Sequence, residues 1–312
     1  MPFFTVNRSF FMSLFFMISG YCVGIAYDAK GAIGFLRSRL QQLGIPLVTF
    51  SLVFMLILRI PAFASPSDQS GSAWAGIDVG YLWYVEHLLI LSICYARWRS
   101  VRKESAGISQ DQAPPPGTLA ILGFALLLAA ASAVIRIWYP IDRWVNLLGF
   151  IRMAPADVPR DLSFFIIGAI AYRHQWFLRF PAKAGMRWLL VGVTVAILWY
   201  GYVLGLKSVW PIGKTAMGVI YPVWESLLCC GMCIGLLVLF REKFNVESPL
   251  SKRLAQSQYM AYLCHGLIVI PLQWVMLGLN VSPLAKFVLV TLTGIPLTFL
   301  SGYWNGKLMG GR

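Results

Sequence analysis

Four ionisable side chains, Glu86, His87, Glu225 and His265, fall inside long apolar runs of the sequence. A charge at the centre of a bilayer is unfavourable by about 2.5–3.5 kcal/mol, so such residues mark functional sites by default. Two carboxylates and two imidazoles are the groups that general acid–base catalysis uses. Glu86 and His87 are adjacent and project about 100° apart on a helix. One can face a bundle interior and the other a neighbouring helix. Glu225 follows Pro222 near the outer end of its run, and His265 stands a few residues above the inner end of its own. Each residue also has a plain structural use: bonding a carbonyl, or pairing with an arginine on another helix. As a set they are the candidate catalytic residues. Glu86, Glu225 and His265 are expected to line one polar cavity, with the two carboxylates toward its outer end.

Candidate substrate contacts come next. Arg37 and Arg39 lie in KGAIGFLRSRLQQLGIP, just before an apolar run. They are either solvated anchors or a phosphate site, because the arginine fork suits bidentate phosphate contacts. Trp83 and Trp224, beside the two glutamates, complete the candidate substrate-binding set. Cys230-Gly-Met-Cys233 has the spacing of a metal or redox pair, but it sits among Leu and Gly without polar partners. It reads as packing, and no metal site is expected. Gly20 with Gly24, and Gly231 with Gly235, give the four-residue spacing that lets helices approach closely.

The elements that must position these residues follow from composition. The 312 residues are 58% hydrophobic and only 12% charged, with a mean hydropathy of +0.70. A soluble domain carries about 25% charge. That excludes a soluble enzyme, a disordered chain and a secreted disulfide scaffold. The fold class is therefore an all-α integral membrane protein, a polytopic helical bundle. A span needs roughly 20 apolar residues. Nine segments qualify: Phe10–Tyr27, Leu43–Phe63, Tyr81–Trp98, Thr118–Trp138, Asp161–Trp176, Trp188–Leu206, Val219–Phe240, Tyr259–Leu279 and Leu284–Trp304. Of the 26 basic residues, 17 fall in one alternating set of loops and 9 in the other. The richer set is expected in the cytoplasm, which places the C-terminus inside. Loops of this kind explain the net charge of +14 as a topology signal, so no nucleic-acid partner is expected. Ser65–Gly80 reads as an outer loop and Lys103–Gly117 as an inner linker with a proline run. Trp144–Pro159 is too short and broken to span and is expected at the outer interface. A proton-coupled transporter would use the same buried Glu and His, but no internal repeat of the kind transporters show is present.

Six stretches carry a family resemblance, in order: FFMSLFFMISGYCVG (Phe10–Gly24), FLRSRLQQLGIPLV (Phe35–Val48), GYLWYVEHLLI (Gly80–Ile90), SFFIIGAIAYR (Ser163–Arg173), VWESLLCCGMCIGLLVLF (Val223–Phe240) and SQYMAYLCHGLIVIPL (Ser257–Leu272). They resemble the membrane acyltransferase 3 family, on its branch of glucans biosynthesis protein C-like acyltransferases. The resemblance implies one domain over residues 1–312 and a ten-helix bundle in the inner membrane. It implies transfer of an acyl group, succinyl or acetyl, from cytosolic acyl-CoA to a saccharide hydroxyl, with no bound cofactor. The lipid bilayer, acyl-CoA and a saccharide acceptor are the implied partners. It also implies a first helix bearing a catalytic Arg and His, and the matching stretches start at the second. Nine spans with the C-terminus inside put Met1 outside, which independently asks for a preceding span. The expectation is a domain incomplete at its N-terminus, inactive alone or acting as an assembly partner, unless Glu86, His87 and His265 substitute. Of the family's Arg-x-x-Arg pair, Arg39 is present and the second position is Gln42.

Overall fold

The computed structural model describes residues 2–58, 80–102, 112–141, 143–147, 151–208, 212–246 and 248–308. A helix occupies each of the nine apolar segments. They are α1 (Pro2–Arg39), α2 (Ile45–Leu58), α3 (Trp83–Arg102), α4 (Thr118–Trp138), α5 (Val158–His174), α7 (Ala182–Gly201), α8 (Lys214–Lys243), α9 (Pro249–Leu277) and α10 (Pro283–Leu308), with the single turn α6 (Trp176–Arg179) between α5 and α7. Among the described residues, six stretches are long and apolar enough to cross a membrane. The first, Phe3–Leu56, covers two of the expected segments, while α3 and α5 are not among the six. The α5 helix has only 17 residues, and α3 carries Glu86, His87 and a basic last turn. The expected outer loop, up to residue 79, and residues 103–111 of the inner linker lie outside the described residues, as do residues 59–63 of the second expected segment.

Local chemistry sets the breaks. The α1 helix is interrupted at Gly31, whose φ of 67° and ψ of 173° are open to glycine and strained for any other residue. The α5 helix starts with Pro159 in its first turn, where a missing N–H costs nothing. The α9 helix starts on a reciprocal cap: Ser248 Oγ accepts from the Ser251 N–H at 3.0 Å, and Ser251 Oγ accepts from the Ser248 N–H at 2.9 Å. Within Trp144–Pro159, expected as an irregular interfacial segment, two short strands pair, β1 (Val145–Leu147) and β2 (Ile151–Met153).

The chain divides into two compact units. The first comprises Met1–Ser38, Ile90–Val145 and Met153–Asn245. Its core includes Phe10, Met17, Leu128, Phe164, Leu228 and the cysteines at 229, 230 and 233, all buried. The glycine spacings act as the sequence suggests. A Cβ on Gly20 would strike the Phe165 carbonyl, and one on Gly168 the Met17 carbonyl, so α1 and α5 touch backbone to backbone. A Cβ on Gly231 would lie 2.7 Å from the Gly192 nitrogen, and one on Gly235 2.5 Å from the Leu189 Cα, so α8 meets α7 in the same way. Cys233 Sγ points to the Phe10 carbonyl at 3.7 Å, consistent with packing. The second unit comprises Arg39–Leu89, Asn146–Arg152 and Val246–Arg312. In it, Leu82 and Leu263 are completely buried.

Candidate functional site

In the first unit, Glu225 is the hub of a buried ion network. Pro222 denies α8 one backbone bond three residues earlier. Arg160, in the first turn of α5, donates from Nη1 to Glu225 Oε1 at 2.7 Å. Arg136, in the last turn of α4, donates from Nη2 to Glu225 Oε2 at 2.5 Å. Both carboxylate oxygens are thus engaged. Arg160 also meets Asp161 Oδ1 at 3.3 Å and Asp157 Oδ1 at 3.3 Å. Ser13 Oγ donates to Asp161 Oδ1 at 2.9 Å. Arg8 closes the network on Asp157 Oδ2 at 3.2 Å and on the Ile141 carbonyl at 2.7 Å. Three guanidinium groups balance three carboxylates, which is the condition for burying such charges. The Arg136 guanidinium also lies over the Tyr221 ring at 5.3 Å.

Sequence reasoning counted Arg8, Arg136 and Arg160 as loop cations; here all three are joined into this network. The signal available was their place at segment ends, beside Asp157 and Asp161. A second buried pair also escaped it. Arg99 Nη2 meets Asp28 Oδ1 at 2.8 Å, with the two side chains 1% and 8% exposed. The Arg99 guanidinium is flanked by the Tyr27 and Tyr95 rings, at 5.1 and 5.8 Å. This clasp ties α1 to α3 three residues before the break at Gly31, ahead of the turn that carries Arg37 and Arg39. Arg37 is exposed and Arg39 half-buried. Trp224 is buried, gives its indole N–H to the Val195 carbonyl at 3.0 Å and stacks on Trp199 at 4.4 Å. In this arrangement it packs α8 against α7.

The other candidates are in the second unit. Glu86 is buried, and its Oε2 accepts the Arg152 backbone N–H at 3.2 Å. His87 rests edge-on against Trp83 at 5.5 Å. Its Nε2 is buried and has no hydrogen-bond partner among the described residues. Two tyrosines lock the start of α3 to α9. Tyr81 Oη donates to the Leu263 carbonyl at 2.7 Å, and Tyr262 Oη donates to the Tyr81 carbonyl at 2.9 Å. Tyr81 fits because residue 266 is glycine, where a Cβ would meet its ring. His265 sits against both rings, at 4.9 Å from Tyr81 and 5.3 Å from Tyr262. Its Nδ1 bonds the Tyr262 carbonyl. A carbonyl only accepts, so Nδ1 is the donor in this contact.

His265 lines a cavity of about 810 Å³ between α9 and α10. Gln273, Lys286, Thr291 and Thr298 give that cavity its polar character, with Trp274 and Phe287 among the apolar residues. Glu86 and His87 do not line it. The structure thus places His265 on a cavity, Glu86 and His87 together at the start of α3, and Glu225 within a network of arginines. The carbonyl of Gln42, at the second position of the incomplete arginine pair, accepts from Tyr259 Oη at 2.6 Å. Among the described residues, no group of three or more His, Cys, Asp or Glu is arranged to hold a metal ion.

Comparison with known proteins adds three findings. The sequence model of the acyltransferase 3 family, described as an acyltransferase domain, matches residues 2–303. The chain is similar to the glucans biosynthesis protein C of Salmonella paratyphi B, Salmonella dublin and Salmonella enteritidis PT4. It is 27% identical to each over 215 residues, which cover 62% of this chain and 53% of the relative. The match therefore spans about half the length of these curated relatives. No solved structure matches the chain.

Proposed function

The chain belongs to the acyltransferase 3 family, and from that premise we propose that it moves an acyl group from acyl-CoA to a saccharide hydroxyl at the membrane. It is a multi-pass membrane protein, with several helices apolar and long enough to span. In this reading all nine helices cross the inner membrane and the C-terminus is cytoplasmic, following the basic-residue count. A thioester made in the cytosol and a glycan hydroxyl outside then meet at the membrane. Succinyl and acetyl are the candidate acyl groups.

The observation that carries the reading is His265. It stands on the wall of a large, partly polar cavity with Nδ1 committed to the Tyr262 carbonyl. Its Nε2 has the tautomer needed to take the proton of an attacking hydroxyl. Lys286 lines the same cavity from α10, where its Nζ donates to the Leu277 carbonyl at 3.4 Å, at the far end of α9 from His265. His87 is a second base, its buried Nε2 without a hydrogen-bond partner among the described residues, with Glu86 held beside it by the Arg152 N–H. Arg37 and Arg39 are the proposed contacts for the donor's phosphates, and Trp83 is a proposed wall for the acceptor.

The test uses the protein that carries this chain, reconstituted in vesicles with acyl-CoA and a glucan. The variant His265→Gln keeps a hydrogen-bonding side chain and loses the base, so kcat should fall by about 10²–10⁴ with the donor KM unchanged. Unaltered kcat in both His265→Gln and His87→Gln overturns these assignments.

A further inference from the structure

Within the first unit, α1, α4, α5, α6 and α8 enclose a second cavity of about 250 Å³. Met17, Phe124, Phe164, Phe177, Cys230 and Ile234 are among its walls, and every residue that lines it is apolar or aromatic. The indole N–H of Trp176, the one N–H donor on a lining side chain, is already given to the Ala113 carbonyl at 3.1 Å. A water molecule needs two to four polar partners, so this cavity excludes water. Left empty, it would forfeit the dispersion contacts of its whole lining. The volume exceeds the 150 Å³ or so that admits benzene in an apolar cavity.

Its surroundings indicate what enters. Ala120 is exposed on the lining, with Pro116 and Trp176 beside it. Residues 112–117 form a strap there, pinned at three points. The Ala113 N–H donates to His174 Nδ1 at 3.1 Å, Trp176 holds the Ala113 carbonyl, and Arg179 Nη1 donates to Gln112 Oε1 at 3.0 Å. The rim is basic. Arg173, Arg179 and Lys183 flank the lining residues Trp176, Phe177 and Phe180, and Arg241 and Lys243 follow Val238; Glu242 is the one acid in residues 173–187 and 238–243. Arg241 is held at that rim by the carbonyls of Phe177 and Phe180, each at 2.8 Å, and its charge is met by Glu242 at 2.8 Å, so the headgroup's cations are those of Arg173, Arg179, Lys183 and Lys243.

We propose that this cavity holds one alkyl chain of an anionic phospholipid, with the headgroup on the basic rim and the 112–117 strap across the chain's point of entry. The site is separate from the acyl-transfer reading and does not depend on it.

The test is native mass spectrometry of the purified protein in mild detergent, supplied with palmitoyl-oleoyl phosphatidylglycerol or with phosphatidylcholine of the same chains. The parent should retain one phosphatidylglycerol in preference to phosphatidylcholine. Ala120→Trp plugs the exposed side and should lower that occupancy about tenfold or more, the effect of withdrawing two methylenes from burial. Leu119→Trp, exposed and outside the lining, should retain the lipid as the parent does. An unchanged thermal midpoint shows that Ala120→Trp folds, and Ile234→Phe, which fills the cavity from within, replaces it otherwise. Equal retention by the parent and the filled variant overturns the proposal, as does equal retention of the two lipids. Displacement of the lipid by palmitoyl-CoA, with altered donor preference in Ala120→Trp, assigns the cavity to the donor's acyl chain and also overturns it.

Discussion

Replacing Arg160 by Met tests the network around Glu225 most sharply. Arg160 is 3% exposed and meets three carboxylates, those of Glu225, Asp161 and Asp157. Methionine keeps much of the volume and removes the charge. Asp161 retains Ser13, Asp157 retains Arg8 and Glu225 retains Arg136. Three negative charges then face two positive ones in a largely buried site, of which Arg8 alone is substantially exposed, at 36%. Removing one partner of a buried pair costs about 3–5 kcal/mol, chiefly because the remaining charge is left uncompensated. That corresponds to roughly 10²–10⁴ in the ratio of folded to unfolded protein. The assay is reversible unfolding in mixed micelles, followed by circular dichroism. Neutralising the carboxylate left without an arginine should recover much of the loss: the double variant Arg160→Met, Asp161→Asn should be more stable than Arg160→Met alone. Stability of Arg160→Met within about 0.5 kcal/mol of the parent, the range of ordinary surface changes, would refute the reasoning. The carboxylates would then be protonated in the fold and the arginine dispensable.

Three further outcomes are expected. Gly168→Leu should destabilise the protein by about 1–3 kcal/mol or more, because its side chain enters the space of the Met17 carbonyl; an unchanged thermal midpoint would contradict the close α1–α5 approach. A cysteine placed at Ser70 should react with an impermeant maleimide from outside while one at Ser109 is spared, if the richer set of basic loops is cytoplasmic as proposed; the reverse pattern inverts the proposed topology. Arg37→Ala with Arg39→Ala should raise the donor KM and leave stability little changed, and an unchanged KM reduces the pair to anchors.

The helices were legible because nine apolar runs each needed an internally bonded backbone. The packing glycines were legible for a related reason: small residues one turn apart mark a face where another backbone can lie, and both Gly20–Gly24 and Gly231–Gly235 are such faces. Cys233 was readable as packing from its apolar neighbours. The ion network was not readable. Arg8, Arg136, the Asp157–Asp161 stretch and Glu225 are far apart in sequence, and a pattern that locates a charge at a segment end does not say which distant acid it meets. Arg99 was hidden in the same way, as one of four basic residues at the inner end of the third segment, while its partner Asp28 is 71 positions away. The paired strands at 145–153 were missed because two three-residue strands carry almost no periodicity. Of the candidate site, the identities of Glu86, His87 and His265 were visible as ionisable residues in apolar runs. The tautomer of His265 and the cavity it lines depend on the Tyr262 carbonyl and on α10, which only the fold supplies.

The central claim is acyl transfer to a saccharide. The most direct measurement supplies the protein that carries this chain, in sealed vesicles, with acyl-CoA isotopically labelled in the acyl group and a glucan acceptor, and follows the label by mass spectrometry. The account predicts the label as an ester on a glucan hydroxyl, one free CoA thiol released per ester formed, and loss of both in His265→Gln. Intact thioester and unmodified glucan, with proton movement coupled to a solute instead, would contradict it.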